Sequence, residues 1–234
     1  MRKFVNLGKN EENEDFEIEE KDYNFTSILN KNAAQNRRIY LWGDVNEDSA
    51  ISVISQLHYF AEENDKPIHL IIHSCGGEVD AELSIIDEMM AVQNSGITVS
   101  TIVTGKAYSA AALILIMGSI GYRYARPNSS IMLHPVSYGL GQDYSDYQEK
   151  MTAFIKEKNK IINEMIGKRM GLKTDKQIKK FVSDMDKGLW LNAEEAIERR
   201  IIDKILDTEL PKNNKGKLSV KNNNKRRVRA SLQK

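Results

Sequence analysis

Ser109 stands directly before eight apolar residues, Ala110 to Met117, in the stretch "GKAYSAAALILIMG". A helix that is apolar all round is a buried one, so this serine carries a hydroxyl to the mouth of a core. Two kinds of chemistry suit that place. Serine is a preferred N-cap, satisfying one of the backbone N–H groups that lack an intrahelical partner. The same free N–H groups, with the positive end of the helix dipole, would equally stabilise negative charge developing beside the hydroxyl. The flanking residues Ala107 and Ala111 exclude the G-x-S-x-G elbow of the α/β-hydrolases. His134 ends a short apolar stretch, "SIML", and precedes Pro135, where a histidine serves structure or proton transfer. His58, His69 and His73 read as structural residues on a helix and a strand. Gly76-Gly77 follow a strand and precede a helix, a place for a tight turn or for close approach of a ligand to the backbone. Cys75 is the single cysteine; it excludes an internal disulfide and a multi-cysteine metal site, and reads as a buried or half-buried structural thiol rather than a rival nucleophile. No H-E-x-x-H, dinucleotide fingerprint or P-loop occurs, so neither a metal nor a cofactor is expected.

These residues need a scaffold, and the apolar periodicity supplies one. "RRIYLWG", "KPIHLIIHS" and "ITVSTIVTG" read as strands. Between them lie two helical patterns. "SAISVISQLHYFAEEN" has Ser49 as a candidate N-cap and Ile51, Ile54, Leu57, Tyr59 and Phe60 toward a core, and "VDAELSIIDEMMAVQNS" closes at Gly96. The buried helix Ala110–Met117 comes next, then two short strands around a Pro-Asn turn in "YRYARPNSSIMLHP". Repeated β-α-β units imply a largely parallel sheet with helices on its faces. Residues 143–169 form a long amphipathic pattern with Tyr144, Tyr147, Met151, Phe154, Ile161 and Met165 on one face. A helix of that length reaches about 40 Å, longer than a small domain is wide, so part of it must project or pack on another chain.

Composition places the chain among globular proteins, with 41% hydrophobic and 29% charged residues. No apolar run approaches the roughly 18 residues of a membrane helix, and the acidic "EENEDFEIEE" replaces an apolar leader near the start. A cytoplasmic protein without a membrane partner is expected. The net charge of +1 conceals a division: residues 211–234 hold nine Lys or Arg and no acid, leaving the rest net acidic. That Asn-rich tail has too few apolar residues to offset ordering entropy and reads as a solvated extension. A contact with nucleic acid is expected, if anywhere, only there.

Taken together, "RRIYLWGDVNE", "SAISVISQLHYFAEENDKPIHLIIHSCGGEVDAELSIIDEM", "STIVTGKAYSAAALILIMG", "YRYARPNSSIMLHP" and "LWLNAEEAIERRIIDKIL" resemble the ClpP family, the proteolytic subunits of the ATP-dependent Clp protease, over residues 37–206. The resemblance implies an α/β fold of the ClpP/crotonase type, a spiral of β-β-α units with a protruding handle helix at about 143–169. It implies a serine endopeptidase that cleaves unfolded polypeptides inside a homo-oligomer of stacked rings, fed by an AAA+ unfoldase. On this resemblance Ser109 falls on the nucleophile, His134 on the general base, and the N–H groups of Gly77 and Ala110 on the oxyanion hole. The implied organisation is an N-terminal arm or pore loop at 1–36, a peptidase domain at 37–210 and the basic tail at 211–234.

The sequence departs from the family pattern in the third catalytic position. Gly188 stands where the family usually has an aspartate, and a local insertion makes Asp186 the candidate, with Asp184 the substitute. Cys75 replaces the family's proline before the glycine pair, and Tyr108 and Ala110 replace the residues usual around the serine. Two other outcomes within the family follow from these departures: a catalytically weak or silent structural subunit, and a capsid-maturation protease of the phage type. A crotonase-type acyl-CoA enzyme would use the same paired N–H groups without needing Ser109 or His134.

Overall fold

The computed structural model describes residues 25–136 and 145–206. The chain divides into two units, Met1–Asn36 and Arg37–Lys234. In the first, helix α1 spans Phe25–Gln35, in a region whose sequence reads as an irregular arm. The basic tail, and the first residues assigned to the long helix, Asp143 and Tyr144, lie outside the described residues.

The second unit is built on one sheet. Strand β1 (Arg38–Val45) pairs in parallel with β2 (Ile68–Gly77), and β2 with β3 (Val99–Tyr108). Helix α2 (Glu47–Glu63) connects the first pair and α3 (Val79–Asn94) the second. The alternation along β2 is the reason for its place: Ile68, Leu70 and Ile72 are fully buried on the helix-covered face, and the odd positions line the other. Beyond β3 the sheet does something that periodicity does not reveal. Two short strands share the same edge, β4 (Arg123–Ala125) against Thr101–Val103 and β5 (Ser130–Leu133) against Lys106–Tyr108. Hydrogen bonds from Arg126 N and Ser129 Oγ to Val103 O, at 3.0 and 3.1 Å, pin the turn that steps from one to the other. β6 (Leu189–Leu191) runs antiparallel to β5, and β7 (Lys204–Ile205) parallel to β4. The mainly parallel sheet with helices agrees with the α/β fold read from the sequence.

Helix α4 (Ala110–Ile116) is buried along its whole length, which is why its sequence has no polar face. α5 (Ser145–Arg169), α6 (Asp175–Met185) and α7 (Ala193–Glu198) complete the chain. None of the helices among the described residues is long and apolar enough to cross a membrane.

Two side-chain assignments made from the sequence need correction. Asn46, not Ser49, caps α2; Ser49 is the reciprocal member of a capping box, each bonding the other's backbone N–H at 2.9 Å. Ile51 and Tyr59 are more than 60% exposed, because the buried stripe of α2 is Ala50, Val53, Leu57 and Phe60. In α5 the stripe turned inward is Ile162 and Ile166, continued by Met170 just after the helix, while Phe154 and Ile161 are more than 40% exposed. Arg37 ties the start of β1 to the end of α2, donating to Phe60 O at 2.8 Å and Asn64 O at 3.1 Å and pairing with Glu63 at 3.0 Å.

Candidate active site

The C-terminal ends of β2, β3 and β5 meet at one edge of the sheet, where open parallel sheets carry their ligand sites. Ser109 follows β3 at the N-cap position of α4, yet its hydroxyl makes no capping hydrogen bond. Its backbone adopts φ 53° and ψ −126°. A non-glycine residue there stores of order 1–3 kcal/mol of strain, which surrounding contacts must hold. Those contacts are visible: Ser109 N donates to Met132 O of β5 at 2.8 Å, and Ser109 O accepts from Ala112 N at 2.9 Å and Leu113 N at 3.3 Å. The hydroxyl is therefore released from the capping role, and Ala110 and Ala111 are the helix residues that precede the first intrahelical donor.

The same Met132 contact ties Ser109 to the strand that leads into His134. Tyr108 and Met132 are partners in the parallel β3–β5 register, so Ser109 and His134 leave adjacent strands one residue out of step. Each is the first residue beyond its strand, so the two strands deliver Ser109 and His134 to the same end of the sheet. The His134 ring has no hydrogen-bond partner among the described residues. The other three histidines are engaged: His58 with Glu88 at 2.8 Å, His69 with Ser100 at 3.1 Å, and His73 with Thr104 O at 2.7 Å while stacked on Trp42. Burial, with the nearby charges of Arg38 and Arg37, lowers the His69 pKa.

From β2, Gly76 reaches the serine directly. A Cβ at Gly76 would lie 2.7 Å from Ser109 Cβ and 2.6 Å from Tyr108 O, and the residue has φ +92°, so only glycine fits. A Cβ at Gly77, which has φ +156°, would run into the Val45 backbone of β1. Thus Gly76 is the residue that touches Ser109 and Ala110, and the sequence reading, which singled out Gly77, gave it no separate role.

The two candidate acids lie at the end of α6, before β6. β5 and β6 are antiparallel with Leu133 opposite Leu189; His134 and Gly188 are the next residues beyond that pair, and Asp186 lies two residues before Gly188. Gly188 has φ +75° and turns the chain from α6 into β6, which explains a glycine at that point. Asp186 closes α6, is exposed, and lines a cleft of about 620 Å³ together with Pro135, Asn159, Lys160 and Glu164. Asn159 of α5 fixes the other wall, accepting from Val136 N at 2.9 Å. Asp184 is engaged elsewhere: Arg199 binds it at 2.8 Å, and that hydrogen bond holds its carboxyl below the usual range.

Cys75 departs from its expected burial. It points to the opposite face of β2 from Ser74 and Gly76, is exposed, and accepts from Lys106 Nζ at 2.9 Å; that hydrogen bond raises the lysine pKa. Among the described residues no group of three or more His, Cys, Asp or Glu is placed to hold a metal ion. A family model described as Clp protease matches residues 19–209.

Proposed function

The chain belongs to the Clp protease family, and from that premise we propose that it is a serine-type endopeptidase acting on unfolded polypeptides. Ser109 Oγ attacks the scissile carbonyl as His134 takes its proton, forming an acyl-enzyme by way of a tetrahedral intermediate. His134 then returns the proton to the leaving amine, and water, deprotonated in turn by His134, releases the acyl product. The N–H groups of Gly77 and Ala110 hold the oxyanion, each contributing about 3 kcal/mol in the transition state. Asp186 orients His134 after a small movement of the α6–β6 turn toward the ring.

One observation carries this reading most strongly. Ser109 sits where a serine would cap a helix, in a strained conformation, with its hydroxyl left uncommitted. A residue serving only to end a strand and start a helix has no use for that strain. Support for an assembled, chambered enzyme comes from α5, whose Phe154 and Ile161 are exposed apolar side chains suited to packing against another copy. Rings of this chain would form the chamber, and an AAA+ unfoldase would deliver substrate.

The test is hydrolysis of an internally quenched unstructured peptide by the purified oligomer, with Ser109→Ala and His134→Ala as controls. Loss of cleavage in both variants, with assembly unchanged, is the expected result; equal cleavage by Ser109→Ala would overturn the reading. A second reading rests on Gly188, which directly precedes the Leu189 partner of Leu133 and brings no carboxyl there. There the chain is a weak or silent subunit, and the same assay distinguishes it by the absence of cleavage in the wild-type oligomer.

A further inference from the structure

α2 begins directly after β1 and α3 directly after β2, so both helices start at the end of the sheet where these parallel strands finish. Between their first turns lies a cleft of about 600 Å³. Ile51 and Ile54 of α2 and Val79 of α3 give it an apolar lining, and Ile51 is 62% exposed. Three exposed acids, Glu47, Glu78 and Asp80, line it as well. Carboxylates at the start of a helix complement its dipole, which accounts for the acids taken alone. It does not account for an isoleucine left in water four residues after Glu47, on the same side of α2. Glu47 and Glu78 make no ion pair among the described residues, and Asp80 meets only Lys158, at 3.3 Å, with its side chain 75% exposed. An apolar floor beside unpaired carboxylates suits a segment in which cationic and aliphatic side chains alternate. The stems of Lys and Arg cover apolar surface while their charged heads reach the acids.

The chain carries such a segment. Residues 211–234 hold nine Lys or Arg and no acid, and the remainder of the chain is net acidic. Aliphatic and basic residues are interleaved there: Leu218 and Val220 lie between Lys217 and Lys221, and Val228 between Arg227 and Arg229. The direction of the sheet favours the same segment. β1, β2, β3, β4 and β7 are parallel in succession, so the chain leaves β7 toward the end at which α2 and α3 begin. Residues 207–234 span up to about 90 Å when extended at about 3.3 Å each, against a width of about 40 Å for a domain of this size. A tethered segment also meets the cleft at an effective concentration of order millimolar, which a free basic peptide does not match. The acidic stretch Glu11–Glu20 has the wrong sign to compete.

The cleft takes in Gly77, whose N–H the peptidase reading assigns to the oxyanion. We propose that the α2–α3 cleft binds residues 211–234 of its own chain, and that the bound tail excludes substrate from beside Gly77. The exclusion rests on the peptidase reading; the docking does not. The test uses the full-length oligomer with Ile51 replaced by the photo-crosslinker p-benzoylphenylalanine. Irradiation is expected to give an adduct of monomer mass, mapped by peptide mass analysis to residues 211–234. Its yield should fall about fivefold in Glu47→Gln/Glu78→Gln and at high salt. Adducts to another segment or to a copurifying protein, adducts of dimer mass, or a yield unmoved by the double substitution would overturn the docking. Methyl resonances of isoleucine give a second reading that needs no photochemistry. Those of Ile51 and Ile54 are expected to shift when the nine bases are replaced by Gln, while those of Ile162 and Ile166 stay still. Ile51 and Ile54 methyls that do not respond would overturn the docking. In the hydrolysis assay the same tail variant should lower KM about threefold with kcat unchanged. An equal KM would overturn the exclusion. Ser109 inert to a fluorophosphonate would count against the peptidase reading alone, and the crosslink and the methyls would still decide the docking.

Discussion

Ser109 N donates to Met132 O of β5, two residues before His134, so the proposed nucleophile is tied to the strand that carries the proposed base. Replacing either nucleophile or base should remove peptidase activity by at least about 10⁴-fold in kcat with little change in stability, measured on oligomers of matched mass. The two aspartates separate more sharply. Asp184 is bound by Arg199, so Asp184→Asn should leave kcat nearly unchanged and lower only stability. Asp186→Asn should reduce kcat by about 10²–10⁴-fold if that carboxyl orients His134. Equal effects in a side-by-side assay would remove Asp186 from the mechanism. The sequence offers one candidate serine and one candidate histidine because both lie in long, distinctive blocks. The acid is not singled out in the same way, because its choice depends on the β5–β6 register and on a glycine with φ +75°, neither of which local patterning encodes.

At the level of elements, the site is the place where β2, β3 and β5 end together. Gly76 is the contact between the first two, and Gly76→Ala would force a Cβ to within 2.7 Å of Ser109 Cβ. Thermal or denaturant unfolding should show a loss of about 2–4 kcal/mol from the clash and the positive φ combined. Activity should fall further than stability does, since the displaced atoms belong to Ser109 and Tyr108. The strands and helices from β1 to α4 were legible because their apolar residues alternate or recur at helical spacing. The sharing of β3 by β4 and β5 was not, because each short strand presents too few residues to declare a partner. The inward stripe of α5 was not legible for a related reason. Apolar residues occur on both sides of that helix, and only tertiary packing shows that Ile162 and Ile166 turn inward while Phe154 and Ile161 stay exposed.

Across the whole molecule, two buried charge sites give opposite responses to pH. Glu82 holds its proton in the folded protein up to about pH 8, so its contribution to stability is complete below pH 4.5 and is lost as pH rises through that window. The slope is about 1.4 kcal/mol per pH unit at most, and denaturant midpoints of Glu82→Gln should lack it. Asp203 responds in the other direction. Burial alone would raise its pKa, but hydrogen bonds from the Arg123 side chain and backbone, the charge of Arg123 and the Gly121 N–H together hold it low. That contribution is present above the ordinary aspartate range and disappears as pH falls through the lowered value, so acid should detach β7 from β4. Asp203→Ala, which leaves Arg123 buried without its partner, should cost about 3–5 kcal/mol at neutral pH. The proposed mechanism requires one hydroxyl to work beside one imidazole. The most direct measurement of that pairing is the rate at which a fluorophosphonate modifies the native oligomer, with the adduct located by peptide mass mapping. Modification of Ser109 alone, slowed at least a hundredfold in His134→Ala, is expected. A folded, assembled protein in which Ser109 stays unmodified, or reacts equally fast without His134, would contradict it.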